Sequence, residues 1–91
     1  MHSLRHNATR VFRALLTDQP NTAAKVAFAW KMAAGQALSR ASHTDWSPDG
    51  TLRVRARDDV WLKEIRRAKP IIFDRLAALL GPGVVKTIVT E

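Results

Sequence analysis

Apolar positions recur along this chain with two different periods, and the places where the period changes divide it into elements. From about Ala8 to Thr17, Ala8, Phe12, Leu15 and Leu16 fall on one helical face, while Arg10 and Arg13 lie elsewhere. That spacing predicts a first helix behind a frayed end over residues 1–7. "TDQPNT" then breaks the pattern, with Pro20 as punctuation and Asn21 or Thr22 as a helix cap. A second helix follows over about residues 22–41. Its apolar stripe runs through Val26, Trp30, Ala33 or Ala34, Ala37 and Leu38, and it is rich in alanine, the best helix former. Gly35 inside it costs about 1 kcal/mol relative to alanine. Its expected use is to let another backbone come close.

The period then changes to two. "SPDG" sits between two extended runs, with Pro48 suited to the second position of a turn and Gly50 to a positive φ. A hairpin is predicted, with one strand near 42–46 and the other near 51–57. On the second strand Leu52, Val54 and Ala56 face the core, and Arg53, Arg55 and Arg57 face away. At Asp58 the period returns to 3.6. Asp58 or Asp59 can cap a helix, since a carboxylate suits the positive end of its dipole. Trp61, Ile65, Ala68, Ile72, Leu76 and Leu79 line one side of that helix, flanked by Leu62, Phe73 and Leu80. Pro70 lies within the pattern and predicts a kink or break near Lys69. "GPG" at 81–83 ends the helix, and the β-branched run "VVKTIV", 84–89, reads as a third strand.

The order is therefore α-α-β-β-α-β. It predicts an α+β fold in one domain spanning residues 1–91, with helices packed on one face of a small three-stranded sheet. A parallel pairing of the last strand would need a right-handed crossover. Strand order does not follow from the pattern.

Composition narrows the function classes. A 46% hydrophobic content supplies one core and argues against disorder. Cysteine is absent, which excludes disulfides, thiol catalysis and cysteine-zinc sites. No apolar run approaches the roughly 18 residues a membrane span needs. The basic start lacks a signal-peptide core, so a cytoplasmic location is expected. Lysine and arginine total 15 against 8 acids, a net charge of +7, which attracts polyanions at long range. Nucleic acid is the leading partner class.

Catalysis, metals and cofactors find little support. His2 and His6 have metal-ligand spacing on a helix, but they sit in the frayed end without a third ligand. His43 and Asp45 share a strand face, yet Ser42, Thr44 and Ser47 lack the context of an activated nucleophile. "GPG" is neither a P-loop nor a dinucleotide fingerprint. No catalytic residue, metal ligand or cofactor is assigned.

The basic residues are the better candidates. Arg53, Arg55 and Arg57 should span about 13 Å along one strand face at about 3.3 Å per residue, a reach that suits successive phosphates. Arginine binds phosphate in a bidentate manner and stacks on bases. Trp46 precedes the turn on the partner strand. On the arginine face it would be a stacking platform for an unpaired base; on the core face it would be hydrophobic cover. Lys63, Arg66 and Arg67 cluster on the long helix opposite its apolar stripe. If that helix packs on the inner face of the sheet, its basic side and the strand arginines point in opposite directions. They could then join only around an edge, most easily near Arg57 and the helix start.

Three stretches together resemble a known family: "WKMAAGQALSRASH", "DGTLRVRARDDVWLKEI" and "GPGVVKTIV". Their ordered set, with a DGTL turn and strand followed shortly by a W-x-x-x-I helix, is similar to the DciA family. These are bacterial proteins linked to loading or operating the replicative DNA helicase. Trp30, Gly35, Gly50, Leu52, Val54 and Trp61 are among the matching positions. The resemblance implies a KH-like domain that binds DNA, single- or double-stranded, and contacts the replicative helicase. A GxxG loop is absent, which departs from the usual KH way of clamping a nucleic-acid backbone. The resulting expectation is a non-enzymatic DNA-binding accessory or loader of that helicase, working mainly through phosphate contacts. An RNA-binding module and a protein-protein adapter are the alternatives.

Overall fold

Gly35 divides the expected second helix in two. The computed structural model describes residues 20–91, so the helix predicted over 8–17, the end over 1–7, and His2 and His6 lie outside the described residues. Helix α1 spans Ala23–Ala34 and α2 spans Gln36–Arg40. Thr22 caps α1 from an extended backbone, its hydroxyl accepting from the Lys25 N–H at 3.1 Å. Gly35 has φ 88° and ψ 167°, so the helical path cannot continue through it. A Cβ added there would meet nothing within 4 Å. The expected close backbone approach is therefore absent, and the left-handed dihedral is what selects glycine. The break also turns α2 away from the line of α1, leaving Ala37 exposed although it was expected in the apolar stripe.

That distinction has a measurable sign. Alanine at a mid-helix glycine would stabilise by about 1 kcal/mol. At a left-handed position the added Cβ costs roughly 1–2 kcal/mol instead. Gly35→Ala is thus expected to lower the urea midpoint of unfolding, not raise it.

The hairpin forms as the sequence predicts. Strand β1 (Ser42–Trp46) pairs antiparallel with β2 (Thr51–Ala56), placing Ser42 opposite Ala56 and Trp46 opposite Leu52. Ser47, Pro48, Asp49 and Gly50 make the turn, closed by the Gly50 N–H donating to the Ser47 carbonyl at 2.9 Å. Gly50 has φ 98°, and a Cβ there would lie 2.7 Å from Lys86 Cγ. Its carbonyl accepts from the Lys86 and Thr87 N–H groups at 2.7 and 3.2 Å. One glycine thus turns the hairpin and starts the pairing of the last strand.

Helix α3 spans Asp59–Leu80, and Asp58 is its cap, with Oδ1 accepting from the Trp61 N–H at 3.0 Å. Of the kink or break expected near Lys69, the break does not occur: the helix runs on through Pro70. Proline inside a helix costs about 3 kcal/mol. Ile65, Ile72, Leu76, Leu79 and Leu80 are buried on either side of it, and each such side chain gains roughly 1.5–3 kcal/mol. Packing outweighs the lost backbone bond, and the proline ring itself faces solvent.

Strand β3 spans Thr87–Thr90, three residues later than the β-branched run begins. Val84 and Val85 lead into it. The Val84 carbonyl accepts from the Trp46 indole N–H at 2.9 Å, and Val85 is buried. Strand β3 runs parallel to β2, and the sheet order is β1-β2-β3 with the arginine strand central. Helix α3 forms the crossover that a parallel pair requires.

The described elements thus follow the order α-α-β-β-α-β in an α+β fold. Its two opening helices are the halves either side of Gly35. Leu52, Val54 and Ile88 of the sheet pack against Val26 and Trp30 of α1 and against Ile65, Ile72 and Leu76 of α3. Trp30 is satisfied in the core, its indole N–H donating to Ser42 Oγ at 3.0 Å. Both long helices lie on that one sheet face. Among the described residues, no helix is long and apolar enough to cross a membrane.

Candidate nucleic-acid interface

The pleat of β2 sends Leu52 and Val54 inward and leaves Arg53 and Arg55 exposed on the opposite face. Register then fixes their neighbours. Asp45 stands opposite Arg53 and His43 opposite Arg55 on β1, while Val89 stands beside Arg53 on β3. His43, Asp45, Arg53, Arg55 and Glu91 line one shallow cleft on this face. Glu91 reaches it because the parallel ladder continues past Thr90: its N–H donates to the Val54 carbonyl at 2.9 Å, and its own carbonyl accepts from the Ala56 N–H at 2.8 Å. The Asp49 carboxyl is held below its ordinary pKa, chiefly by the Thr51 backbone N–H and then by the Thr51 hydroxyl, with smaller help from Arg53 and Lys86. The strand arginines therefore stand among acids. This moderates the uniform basic stripe that the sequence alone suggests.

Arg57 sits one step beyond β2. Its N–H donates to the Ala41 carbonyl at 2.8 Å, which ties it to the end of α2. Its guanidinium lies 5.7 Å from the centroid of the Trp61 ring, and its Nε is 3.9 Å from Asp58 Oδ2. Both contacts are solvent-exposed. An exposed ion pair is worth about 0–1 kcal/mol and an exposed cation–π contact about 0.5–1 kcal/mol. Arg57 is thus oriented but not locked.

Lys63, Arg66 and Arg67 are exposed on α3. Arg66 Nε donates to Thr90 Oγ1 at 3.2 Å, so the helix group reaches the β3 edge of the sheet. Two contacts link the surroundings of the helix and strand groups. One is Arg57 over Trp61, the corner expected from the sequence. The other, Arg66 to Thr90, depends on the parallel register of β3 and has no local sequence signal. The two groups meet around a corner and do not share one groove.

Trp46 does not join them. Its position opposite Leu52 places it on the core face, where it packs against the core and donates its indole N–H to Val84. The stacking role considered for it next to the arginines is thereby corrected. Hairpin parity is the reason: the Ser47 N–H donates to the Thr51 carbonyl at 2.9 Å around a three-residue loop, so Trp46 and Leu52 form the next pair and share one face. The exposed part of Trp46 lines a cleft with Asn21, Pro48, Pro82, Gly83 and Val84 at the turn end of the sheet. Among the described residues, no three histidine, aspartate or glutamate side chains gather where they could hold a metal ion.

A family model described as "Dna[CI] antecedent, DciA" matches residues 3–90. No curated protein and no solved structure matches the chain.

Proposed function

The chain belongs to the DciA family, matched from residue 3 to residue 90, and from that membership we propose a non-enzymatic DNA-binding accessory or loader of the bacterial replicative helicase. The family serves helicase loading in bacterial replication and associates with the replicative helicase. DNA contact is the added step. The observation that supports it most is that Arg53, Arg55, Arg57, Lys63, Arg66 and Arg67 are all exposed, in two groups that adjoin around a corner of the domain. With no GxxG loop in the sequence, the backbone contacts come from these side chains. Arginine forks aimed at phosphates give affinity with little reading of sequence.

Fluorescence anisotropy with labelled oligonucleotides over a salt series tests this reading. Each neutralised phosphate contributes about −0.9 to the slope of log K against log salt on duplex DNA. A slope of roughly −3 to −5 is expected if most of the six residues engage. A flat response would count against phosphate binding. Co-purification with the helicase should survive nuclease treatment. A clear preference for RNA over single-stranded DNA of equal length would move the assignment to an RNA-binding module.

A further inference from the structure

The three tryptophans occupy three different situations. Trp30 is buried at 3% exposure and bonded to Ser42. Trp46 packs against the core and is bonded to Val84. Trp61 is half-buried yet stands apart from the core cluster that takes in Ile65 and Ala68 of the same helix. The sequence pattern made it the first residue of the apolar stripe. The structure instead sets its ring beneath the Arg57 guanidinium, in the first turn of α3. Asp58 caps that turn through the Trp61 N–H, which anchors the backbone that carries the ring.

We propose that Trp61 is a stacking site for one unpaired nucleobase, with Arg57 beside it as the phosphate contact. The inference rests on the nucleic-acid reading above and adds the ligand class: a single strand, since a base inside a duplex cannot reach an indole face. Three observations converge on the corner. Among the described residues, the side chains of the outward sheet face, including His43, Asp45, Arg53, Arg55 and Val89, offer no six-membered aromatic ring, and Trp46 lies on the other face. Trp61 lies in sequence between the strand arginines and Lys63, Arg66 and Arg67, and Arg57 stands over its ring, so a strand that runs from Arg57 toward the helix group would pass it. Arg57, 5.7 Å from the ring centroid and 63% exposed along its side chain, is looser than a stacked contact. A base stack on indole outweighs an exposed cation–π contact, so Arg57 can release the ring and take the phosphate.

The test compares a short oligothymidylate with an abasic strand of equal length, which keeps the phosphates and removes the bases. The unaltered protein is expected to bind the thymidylate about tenfold more tightly, the scale of one base–aromatic stack. Trp61→Leu keeps apolar volume but no ring face. It should bind thymidylate at the abasic level and bind the abasic strand within about twofold of the unaltered protein, a difference too small for a lost stack. Trp61→Phe preserves a ring if the leucine variant folds poorly. It should retain part of the base preference and lose most of the quenching of indole fluorescence by thymidylate, because Trp30 is buried and Trp46 lies on the sheet face away from the arginines. Equal affinity for the two strands, or quenching that persists in Trp61→Phe, would overturn the stacking site. Equal and steeply salt-dependent binding would do so while sparing the phosphate reading. Failure to bind either strand would remove both.

Discussion

Arg53→Gln, Arg55→Gln and Arg57→Gln combined are expected to weaken DNA binding by about 500-fold at about 0.1 M salt. The magnitude comes from counterion release. One phosphate contact contributes about 0.9 log unit of affinity for each tenfold drop in salt below 1 M, so three give nearly three log units, about 2.7, at 0.1 M. The slope of log K against log salt should fall by about three, which separates lost contacts from a general loss of protein. The acids around the arginines enlarge the effect. Asp45 faces Arg53 across the hairpin, Glu91 shares the cleft with Arg55, and Asp58 pairs loosely with Arg57. With glutamine in place the carboxylates remain, and this face repels phosphate.

Stability should hardly move in the triple variant. All three positions are exposed, and surface changes of this kind stay within about ±0.5 kcal/mol. Glutamine also keeps an aliphatic stem over the sheet. An unchanged salt slope in a folded triple variant would clear the strand face and move the interface to Lys63, Arg66 and Arg67. The helix triple would then carry the loss.

Local chemistry made much of this fold legible. The Ser47–Gly50 turn, the alternation from Leu52 to Ala56 and the Asp58 cap each depend on residues within a few positions, and each forms where the sequence places it. Departures occurred where a distant partner decides. Pro70 reads as a kink or break, and no break forms, because the sequence shows the lost hydrogen bond but not the packing of Ile65, Ile72 and Leu76 that offsets it. Gly35 reads as a packing glycine because a positive φ leaves no mark in composition. The Val84–Val85 pair has strand propensity but serves instead as the approach to β3, with a carbonyl taken by Trp46.

The candidate site was legible as a set of charges but not as a shape. Arg53 and Arg55 announce their face through parity, and the exposed side of α3 follows from helical period. That Glu91 lies beside Arg55, and Arg66 at Thr90, follows only from a parallel β2–β3 register set at Gly50. Trp61 shows the same limit from the other side. Its spacing fits the apolar stripe, but it lies at the end of the helix where the stripe runs out of core to cover.

Leu52→Ala should give the largest stability loss of any single change on β2, and it tests the opposite face of the same strand. Leu52 is 0% exposed on the central strand, paired to Trp46 on one side and to Ile88 on the other. Both helix layers press on this sheet face, so the site has little freedom to collapse around a smaller side chain. Truncations of this type cost about 2.7–5.0 kcal/mol where the cavity persists. In a domain of this length each 1 kcal/mol lowers Tm by about 4–8 °C, so a drop well above 10 °C is expected in a thermal melt. Marginal stability of a small domain leaves part of the Leu52→Ala protein unfolded near physiological temperature. DNA affinity measured at low temperature, where the variant is folded, should nonetheless match that of the unaltered protein. The outward arginines on this strand and its packing side chains alternate between opposite faces. A melt unchanged by Leu52→Ala would mean that the strand is turned over, with the arginines inward, and would remove the interface as built.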